Sequence, residues 1–223
     1  MKDQQFFSVL KIMICLLAYY YIVSRLSKVN IETFGNFLIE NAYVINLKNR
    51  SDRLTSFKKN FENANLDFPL KIHVATDGKN INLNDLNISN IARREIEYIE
   101  KTGHRIKHYQ LTRGAVGCYI SHLDLWDKIY NTGDDYALIF EDDAVIPSNF
   151  KDKLQKSIKN LNEADTEWDI FVLDALCRDC IPYYENIVKI NKFFLLHSYI
   201  ISRKAIEKIK RNNLLYPMEQ QLD

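Results

Sequence analysis

The sequence predicts an α/β domain in which helices cover both faces of a mainly parallel sheet. Apolar runs of strand length alternate with segments whose apolar residues recur every three or four positions, an order typical of strand–helix–strand units. The chain has 223 residues, 47% of them hydrophobic, which is enough to bury one core. Thirty basic residues balance 29 acidic ones, so composition gives no reason to expect a nucleic-acid partner.

The N-terminal segment from Phe6 to Val23 is apolar, and Lys11 is its single formal charge. Its length roughly matches the hydrocarbon core of a bilayer at about 1.5 Å per residue, so residues 1–28 are predicted to form a membrane anchor. A cleaved signal peptide is disfavoured because the run from Tyr19 to Tyr21 offers no small-residue cleavage site. A buried N-terminal helix is the remaining alternative.

A stem is predicted for residues 29–41, followed by the folded domain over residues 42–223. The domain opens with a strand from Tyr43 to Leu47, and a polar turn leads into a helix. Positions three and four apart carry the apolar residues of that helix, which are Leu54, Phe57 and Phe61.

The turn between this strand and helix carries two arginines, Arg50 and Arg53. Ser51 or Asp52 is expected to cap the helix. Because the N-terminus of a helix directs backbone amides at a ligand and arginine neutralises phosphate, this corner is a candidate phosphate or nucleotide site. An ordinary corner with solvated arginines fits the same residues, and the pattern alone does not decide between the two.

The later elements continue the alternation of strands and helices. They are a strand over 70–78, a helical patch near 91–99, a helix over 115–133, a strand from 136, a helix over about 150–161, strands over 168–175, near 183–190 and over 193–202, and a helix over 203–211. Cys177 and Cys180 fall in a predicted loop. A disulfide or two ordinary thiols is expected there, because one C-x-x-C pair cannot complete a four-ligand zinc site.

The strand that starts at Tyr136 runs directly into three adjacent acids, Glu141, Asp142 and Asp143. In open α/β sheets, ligands collect at the carboxyl ends of strands. Adjacent carboxylates repel one another unless a cation lies between them, and their hard oxygen atoms suit Mg²⁺ or Mn²⁺, which also bridge phosphates. The motif therefore predicts a metal-assisted nucleotide-diphosphate site, with an acidic turn that caps the next element as the alternative.

Five motifs follow one another along the chain: "AYVINLKNRSDR", "ATDGKNI", "RGAVGCYISHLDLWDKI", "DYALIFEDDAVIP" and "LLHSYIISRKAIEKI". This order resembles glycosyltransferase family 25 over residues 42 to about 222. The resemblance implies a GT-A-type, Rossmann-like domain that binds a nucleotide sugar. It also implies metal-assisted, inverting transfer of a hexose, commonly galactose from UDP-galactose, to a hydroxyl of a glycan, glycolipid or glycoprotein.

The resemblance also implies roles for individual residues. Asp142 and Asp143 would hold Mn²⁺ or Mg²⁺ beside the diphosphate. The residues implied to bind or support the nucleotide are Asn46, Arg50, Arg53, Asp77, Gly78, Ser121 and His122. For His122, as for His197, an ordinary hydrogen-bonded histidine is the open alternative.

The general base of the reaction is left open by the sequence. Asp174 follows a predicted strand and could reach the acceptor, while Glu219 and Asp223 are rival acids. Family members usually carry Pro-x-Asp near the end of the domain, whereas this chain has Glu219 at the aspartate position. A non-catalytic, glycosyltransferase-like binding or scaffold subunit is therefore the alternative function, and a nucleotidyltransferase is a third. A lumenal catalytic domain is expected if the anchor and the transferase function both hold.

Overall fold

The computed structural model describes residues 33–34, 37–66, 68–107, 109–164, 167–213 and 217–218. The predicted anchor and the candidate acids Glu219 and Asp223 lie outside these residues. Among the helices that are described, none has both the length and the apolar character that a membrane span requires.

Five α-helices and six strands make up the described part of the chain. The helices are α1 (Ser51–Asn63), α2 (Asn90–Thr102), α3 (Arg113–Thr132), α4 (Phe150–Glu163) and α5 (Arg203–Asn213). The strands are β1 (Thr33–Phe34), β2 (Phe37–Asn46), β3 (Leu70–Val74), β4 (Tyr136–Glu141), β5 (Ile170–Tyr184) and β6 (Ile187–Ser202). Two 3₁₀ turns, Gly78–Asn80 and Leu83–Asp85, follow β3. β2 thus begins within the range predicted as stem.

The described strands form one mixed sheet in the order β1-β2-β4-β6-β5, with β3 also paired to β2. β2 is parallel to β3 and to β4, whereas β6 is antiparallel to both β4 and β5. The prediction of a mainly parallel sheet is therefore wrong for the part of the sheet that β4, β6 and β5 form. The physical reason is the connection, because parallel neighbours need a crossover whereas β5 and β6 are joined by a tight turn at Glu185 and Asn186.

The segment predicted as a cysteine-containing loop is part of β5. Cys177 and Cys180 are joined there by a disulfide. Pro182, which favours a loop in the sequence, is tolerated because β5 lies at the edge of the sheet. A long, irregular hairpin therefore replaces the short strands that the sequence predicts.

Both faces of the sheet are covered by helices, as predicted. Helices α1 and α4 pack on one face against alternate residues of β4, including Leu138 and Phe140. Helices α3 and α5 pack on the other face against Ala137 and Ile139. Because side chains alternate along a strand, Glu141 continues the row of Ala137 and Ile139 and so faces α3.

The ends of the helices position the loops around the carboxyl edge of the sheet. In α3, the hydroxyl of Thr112 accepts a hydrogen bond from the backbone N–H of Ala115 at 3.1 Å. The helix ends at Gly133, whose φ of 89° is left-handed, as the sequence indicates. The predicted cap of α1 is wrong: Ser51 and Asp52 lie within the first turn, and Arg50 is the N-cap residue without a side-chain hydrogen bond to the helix.

Candidate functional site

The site is built where β2 and β4 end side by side. Ile45 of β2 is in register with Glu141 of β4, so the residues that follow both strands meet. Asn46, only 4% exposed, donates from Nδ2 to Asp142 Oδ2 at 2.6 Å. The same amide group donates to the carbonyl of Arg50 at 3.0 Å, which fixes the turn into α1. The asparagine therefore connects the acidic strand end to the start of the helix.

Arg53, in the first turn of α1, bridges two of the three acids. Its Nη1 donates to Asp142 Oδ1 and to Asp143 Oδ2, each at 3.1 Å. The side chain of Asp142 is 10% exposed, whereas that of Asp143 is 45% exposed. Asp142 is thus held within the protein by Asn46 and Arg53, and Asp143 is the more accessible carboxylate.

Arg50, predicted on the nucleotide side, forms a pair within its own turn. Its Nε and Nη2 donate to the two carboxylate oxygens of Asp52, each at 3.0 Å. These hydrogen bonds lower the pKa of Asp52 to about 2. Arg50 is thus engaged through the Nε and Nη2 edge of its guanidinium by a residue of its own turn.

The loop after β3 packs so closely on α3 that two glycines are required. A Cβ atom on Gly78 would lie 1.9 Å from the carbonyl oxygen of Arg113, and one on Gly117 would lie 2.7 Å from the carbonyl oxygen of Thr76. Ser121 Oγ accepts from the Thr76 N–H at 2.8 Å and donates to the Gly117 carbonyl at 2.6 Å. Ser121 is fully buried, and its two hydrogen bonds hold the loop against α3.

Asp77 shapes the same loop. Its Oδ1 accepts from the backbone N–H of Lys79 at 3.0 Å and so caps the 3₁₀ turn. The loop, the start of α3 and the end of β4 enclose a cleft of about 510 Å³, which we call the first cleft. Its polar lining includes Arg53, Asp77, Arg113, Glu141, Asp142 and Asp143. The predicted residues Gly78 and Ser121 also border it, whereas Asn46, Arg50 and His122 do not.

Arg113 is a cleft residue that the sequence analysis did not single out. It is the first residue of α3, pairs with Glu100, and donates from Nη1 to the carbonyl of Ile81 at 2.7 Å. Its position directly after the capping residue Thr112 is the signal that could have indicated it, because helix N-termini favour anions. The lining of the first cleft therefore includes one arginine from the first turn of each of two helices, Arg53 and Arg113.

His122 lies behind Glu141 and is fully buried. Its Nε2 is 3.2 Å from Glu141 Oε1, and its Nδ1 is 2.7 Å from the hydroxyl of Tyr199. Cys118 donates from Sγ to the same Glu141 oxygen at 3.6 Å. The structure thus favours the interpretation of His122 as a buried, hydrogen-bonded histidine. His122 contacts the cleft residue Glu141 and does not line the cleft itself.

Asp174 and His197 form a second part of the site, on the hairpin. His197 Nδ1 lies 3.4 Å from Asp174 Oδ2. The pairing of β5 with β6 is irregular here. Asp174 pairs with Ser198 and Leu176 pairs with Phe194, so a single residue of β5 lies opposite three residues of β6. Leu195, in that bulge, has a left-handed φ of 74°. Bulges of this kind redirect side chains, and this one includes His197, the histidine beside Asp174.

A second cleft, of about 630 Å³, lies between the hairpin and the N-terminal part of α4. Asp174, Lys153 and Lys156 are among its lining residues. His197, the neighbour of Asp174, also lies close to the first cleft, because its ring has a nitrogen within 4.8 Å of carboxylate oxygens of Glu141 and Asp143.

Two groups of side chains within the described residues could hold a metal ion. Glu141, Asp143 and His197 offer ligand atoms that all lie within 4.8 Å of one another, as do Cys118, His122 and Glu141. Two carboxylates with an imidazole suit a hard ion such as Mn²⁺, whereas the thiolate set suits a softer one. Neither group includes Asp142, whose two oxygen atoms accept hydrogen bonds from Asn46 and Arg53.

Comparison with known proteins identifies relatives of this chain. The sequence profile described as "Glycosyltransferase family 25 (LPS biosynthesis protein)" matches residues 39–222. The chain is 27% identical over 173 residues to the human protein named procollagen galactosyltransferase 2, covering 75% of this chain and 26% of that protein. It is 27% identical over 176 residues to procollagen galactosyltransferase 1-B of Xenopus laevis, covering 76% and 28%.

A further relative is named as inactive. The human protein named inactive glycosyltransferase 25 family member 3 is 35% identical over 63 residues, which is 28% of this chain and 11% of that protein. The chain spans about a quarter of the length of the curated galactosyltransferases that it matches, 26% and 28% for the two above.

Proposed function

The chain belongs to glycosyltransferase family 25, and we propose on that premise that it transfers galactose from UDP-galactose to a hydroxyl group of a glycan, glycolipid or glycoprotein, with inversion at the anomeric carbon. The relatives named procollagen galactosyltransferase support galactose as the sugar. The observation that carries the proposal is the network of Asn46, Arg53, Asp142 and Asp143 at the acidic end of the first cleft.

In this proposal the first cleft binds the donor. A UDP leaving group carries negative charge that grows as the glycosidic bond breaks, so cations must be placed beside the diphosphate. Arg53 and Arg113 lie on the cleft wall from the first turns of α1 and α3. The loop from Thr76 to Lys79 lines the same cleft and is held against α3, because Gly78 has no side chain to collide with the carbonyl oxygen of Arg113.

A divalent cation fits the ligand set of Glu141, Asp143 and His197, and Mn²⁺ or Mg²⁺ is the proposed cofactor. When bound, the ion would neutralise charge on the diphosphate. Asp142, which the family resemblance implies as a metal ligand, is assigned a supporting role in this proposal. It holds Arg53 and Asn46 in place, and through them it orients the start of α1 beside the cation site.

The second cleft is the proposed place of the acceptor. Inverting transfer requires a base that removes the proton of the attacking hydroxyl on the side opposite the leaving group. Asp174 lines that cleft and lies beside His197, so its carboxylate is the proposed base. Glu219 remains a rival acid. The residue before it, Met218, pairs with Ile88 beside α2.

The test is UDP release by the 223-residue chain from a panel of UDP-sugars, with Mn²⁺ or with EDTA. Release from UDP-galactose in Mn²⁺ that EDTA abolishes, and that Asp143→Asn reduces strongly, is the expected result. Binding of UDP without release of UDP from any sugar would instead favour a second function, a non-catalytic binding subunit. The relative named as inactive gives that second function a specific basis.

Attachment to a membrane through residues 1–28 is part of the same proposal, with the catalytic domain on the lumenal side. The support is the single charge between Phe6 and Val23. Sedimentation of the chain with vesicles after a carbonate wash, compared with a variant that lacks residues 1–28, is the measurement. Recovery of the full chain in the supernatant would remove the anchor from the proposal.

A further inference from the structure

Tyr199 of β6 lies at the centre of a buried chain of hydrogen bonds that ends at the first cleft. Its side chain is fully buried. The hydroxyl is 2.8 Å from Trp126 Nε1 and 2.7 Å from His122 Nδ1. His122 Nε2 in turn is 3.2 Å from Glu141 Oε1, and Glu141 lines the cleft. These hydrogen bonds thus connect the buried core between the sheet and α3 to a carboxylate of the first cleft.

The direction of each hydrogen bond follows from the chemistry of the groups. An indole N–H can only donate, so Trp126 donates to the Tyr199 oxygen. The Tyr199 hydroxyl must place its own proton on an acceptor, since a buried donor without a partner destabilises the folded protein. Within the described residues, its one other hydrogen-bond partner is His122 Nδ1. Burial raises the pKa of Tyr199 well above its usual value, so the hydroxyl keeps this proton.

The tautomer of His122 is determined by this arrangement. Since Nδ1 accepts from Tyr199, the imidazole carries its proton on Nε2, which then donates to Glu141 Oε1. A metal at Cys118, His122 and Glu141 would need the Nε2 lone pair, and the proton would have to move to Nδ1. That shift would leave the Tyr199 proton without an acceptor among the described residues, so the structure disfavours this metal set in the resting protein.

We propose that Tyr199 is a positioning residue, which acts through the Nε2–H tautomer of His122 to hold the Glu141 carboxylate in the orientation that binds the cation. Ligating carboxylates in proteins are commonly held by hydrogen bonds of this kind, and their loss typically costs about 10- to 100-fold in metal affinity. The part of this proposal that concerns the cation rests on the proposed function. The tautomer of His122 does not, because it follows from the buried hydrogen bonds alone.

The first experiment measures the tautomer directly. The chain is labelled with ¹⁵N-histidine, and the ring nitrogens are observed by long-range ¹H–¹⁵N NMR without metal or nucleotide. Five histidines are present, and the signals of His122 are those missing from the spectrum of His122→Gln. The expected result is protonated Nε2 and bare Nδ1 in the wild type, and loss of that preference in Tyr199→Phe. A wild-type His122 protonated on Nδ1 overturns the proposal.

The second experiment measures Mn²⁺ affinity by titration calorimetry and electron paramagnetic resonance. Tyr199→Phe is expected to bind Mn²⁺ about tenfold more weakly while binding of UDP without metal is unchanged. Tyr184→Phe is the matched control, because it removes a hydroxyl that contacts Glu163 at 3.3 Å, away from this chain of hydrogen bonds.

A pair of variants at His122 tests the same role if Tyr199→Phe fails to fold. In His122→Gln the amide oxygen can accept from Tyr199 while the amide N–H donates to Glu141, so Mn²⁺ affinity is expected to stay within about threefold of the wild type. His122→Leu can do neither and is expected to lose about tenfold or more. Equal affinities in the wild type, Tyr199→Phe and His122→Leu overturn the positioning role alone. Absence of Mn²⁺ binding in the wild type overturns this role together with the metal dependence of the proposed function, and leaves the tautomer result standing.

Discussion

The two clefts of this protein are built from different kinds of structure. The first cleft rests on parallel strands that end in register and on a loop packed so tightly that Gly78 has no room for a Cβ atom. The second cleft is bordered by the β5–β6 hairpin, whose pairing shifts register repeatedly. Apolar side chains of that hairpin are exposed, with Leu176 at 49% and Ile181 at 54%.

This difference indicates where variation is tolerated. A change in the loop after β3 must displace backbone, whereas a change on the exposed hairpin displaces solvent. A family that keeps one donor and changes acceptors would place the donor in the first kind of structure and the acceptor in the second. Substitutions that affect one cleft and leave the other intact would test that division.

Asp143→Asn is expected to lower metal-dependent UDP release about 1,000-fold. The substitution removes one of the two carboxylates that converge with His197, so less charge is available to hold the cation beside the diphosphate. Steady-state UDP release in Mn²⁺ is the measurement. Asp85→Asn, on an exposed 3₁₀ turn, is the control and should retain wild-type turnover. Full activity in Asp143→Asn would remove Asp143 from the cation site.

Gly78→Ala is expected to reduce the free energy of unfolding by about 3 kcal/mol. The added methyl group would lie 1.9 Å from the backbone carbonyl of Arg113, so the loop or α3 must shift. Gly114→Ala is the matched control in the same region, because its Cβ would lie 3.6 Å from Thr112 Oγ1, an ordinary contact. That variant should change the unfolding free energy by less than about 1 kcal/mol. Similar values for both variants in urea denaturation would show that the first cleft is not tightly packed.

Asp174→Asn is expected to lower kcat for transfer about 100-fold and to leave the affinity for UDP unchanged. The reason is that Asp174 lines the second cleft and would act only on the acceptor. Asp179→Asn, an exposed acid farther along the same strand, serves as the control. If the substitution at Asp174 weakens UDP binding as strongly as it slows transfer, the two clefts do not divide donor from acceptor.

His73, on the strand β3 that leads into the first cleft, should make the stability of the protein slightly dependent on pH. Burial lowers the pKa of His73, as does the nearby Lys128, while Asp124 opposes them. Among the described residues no group pairs with its buried Nε2. The unfolded chain therefore binds a proton more readily below about pH 6.5, so stability is present above that pH and falls as the pH drops toward 5.

Urea denaturation at about pH 7 and pH 5 measures this effect. Between pH 7 and pH 5, His73→Gln should lose less stability than the wild type. The difference should be below about 1 kcal/mol, since the side chain is only partly buried and solvent screens its charge. His104→Gln is the control at an exposed histidine and should leave the loss unchanged. An equal loss in the wild type and in His73→Gln would contradict the prediction.

The sequence was most informative where local pattern and tertiary structure agree. The apolar run before Glu141 and the Gly133 stop of α3 are both where they were predicted, because a buried strand and a capped helix leave periodic signals. The proximity of Arg53 to the acids also followed, since the ends of parallel strands share one edge of a sheet. Family membership likewise needed only the order of motifs.

The hairpin could not be predicted in the same way. Its residues include a proline, two cysteines and several charges, which are typical of loops, and they form strands because β5 and β6 pair with each other along most of their length. The direction of β6 relative to β4 depends on that pairing. Arg113 could not be identified from the sequence either. It borders the first cleft because the start of α3 lies beside the loop after β3, and an arginine alone gives no sign of that.

By itself, the sequence determined the elements, the acidic strand end and the family, because each is a property of neighbouring residues or of their order along the chain. Only the tertiary structure decided which acid faces which partner. Asp142 turns to Asn46 and Arg53, while Glu141 turns to His122 and, through it, to Tyr199, 58 positions farther along the chain. Such contacts depend on the alternation of side chains across a sheet and on which helix covers each face, and neither is set within a single segment.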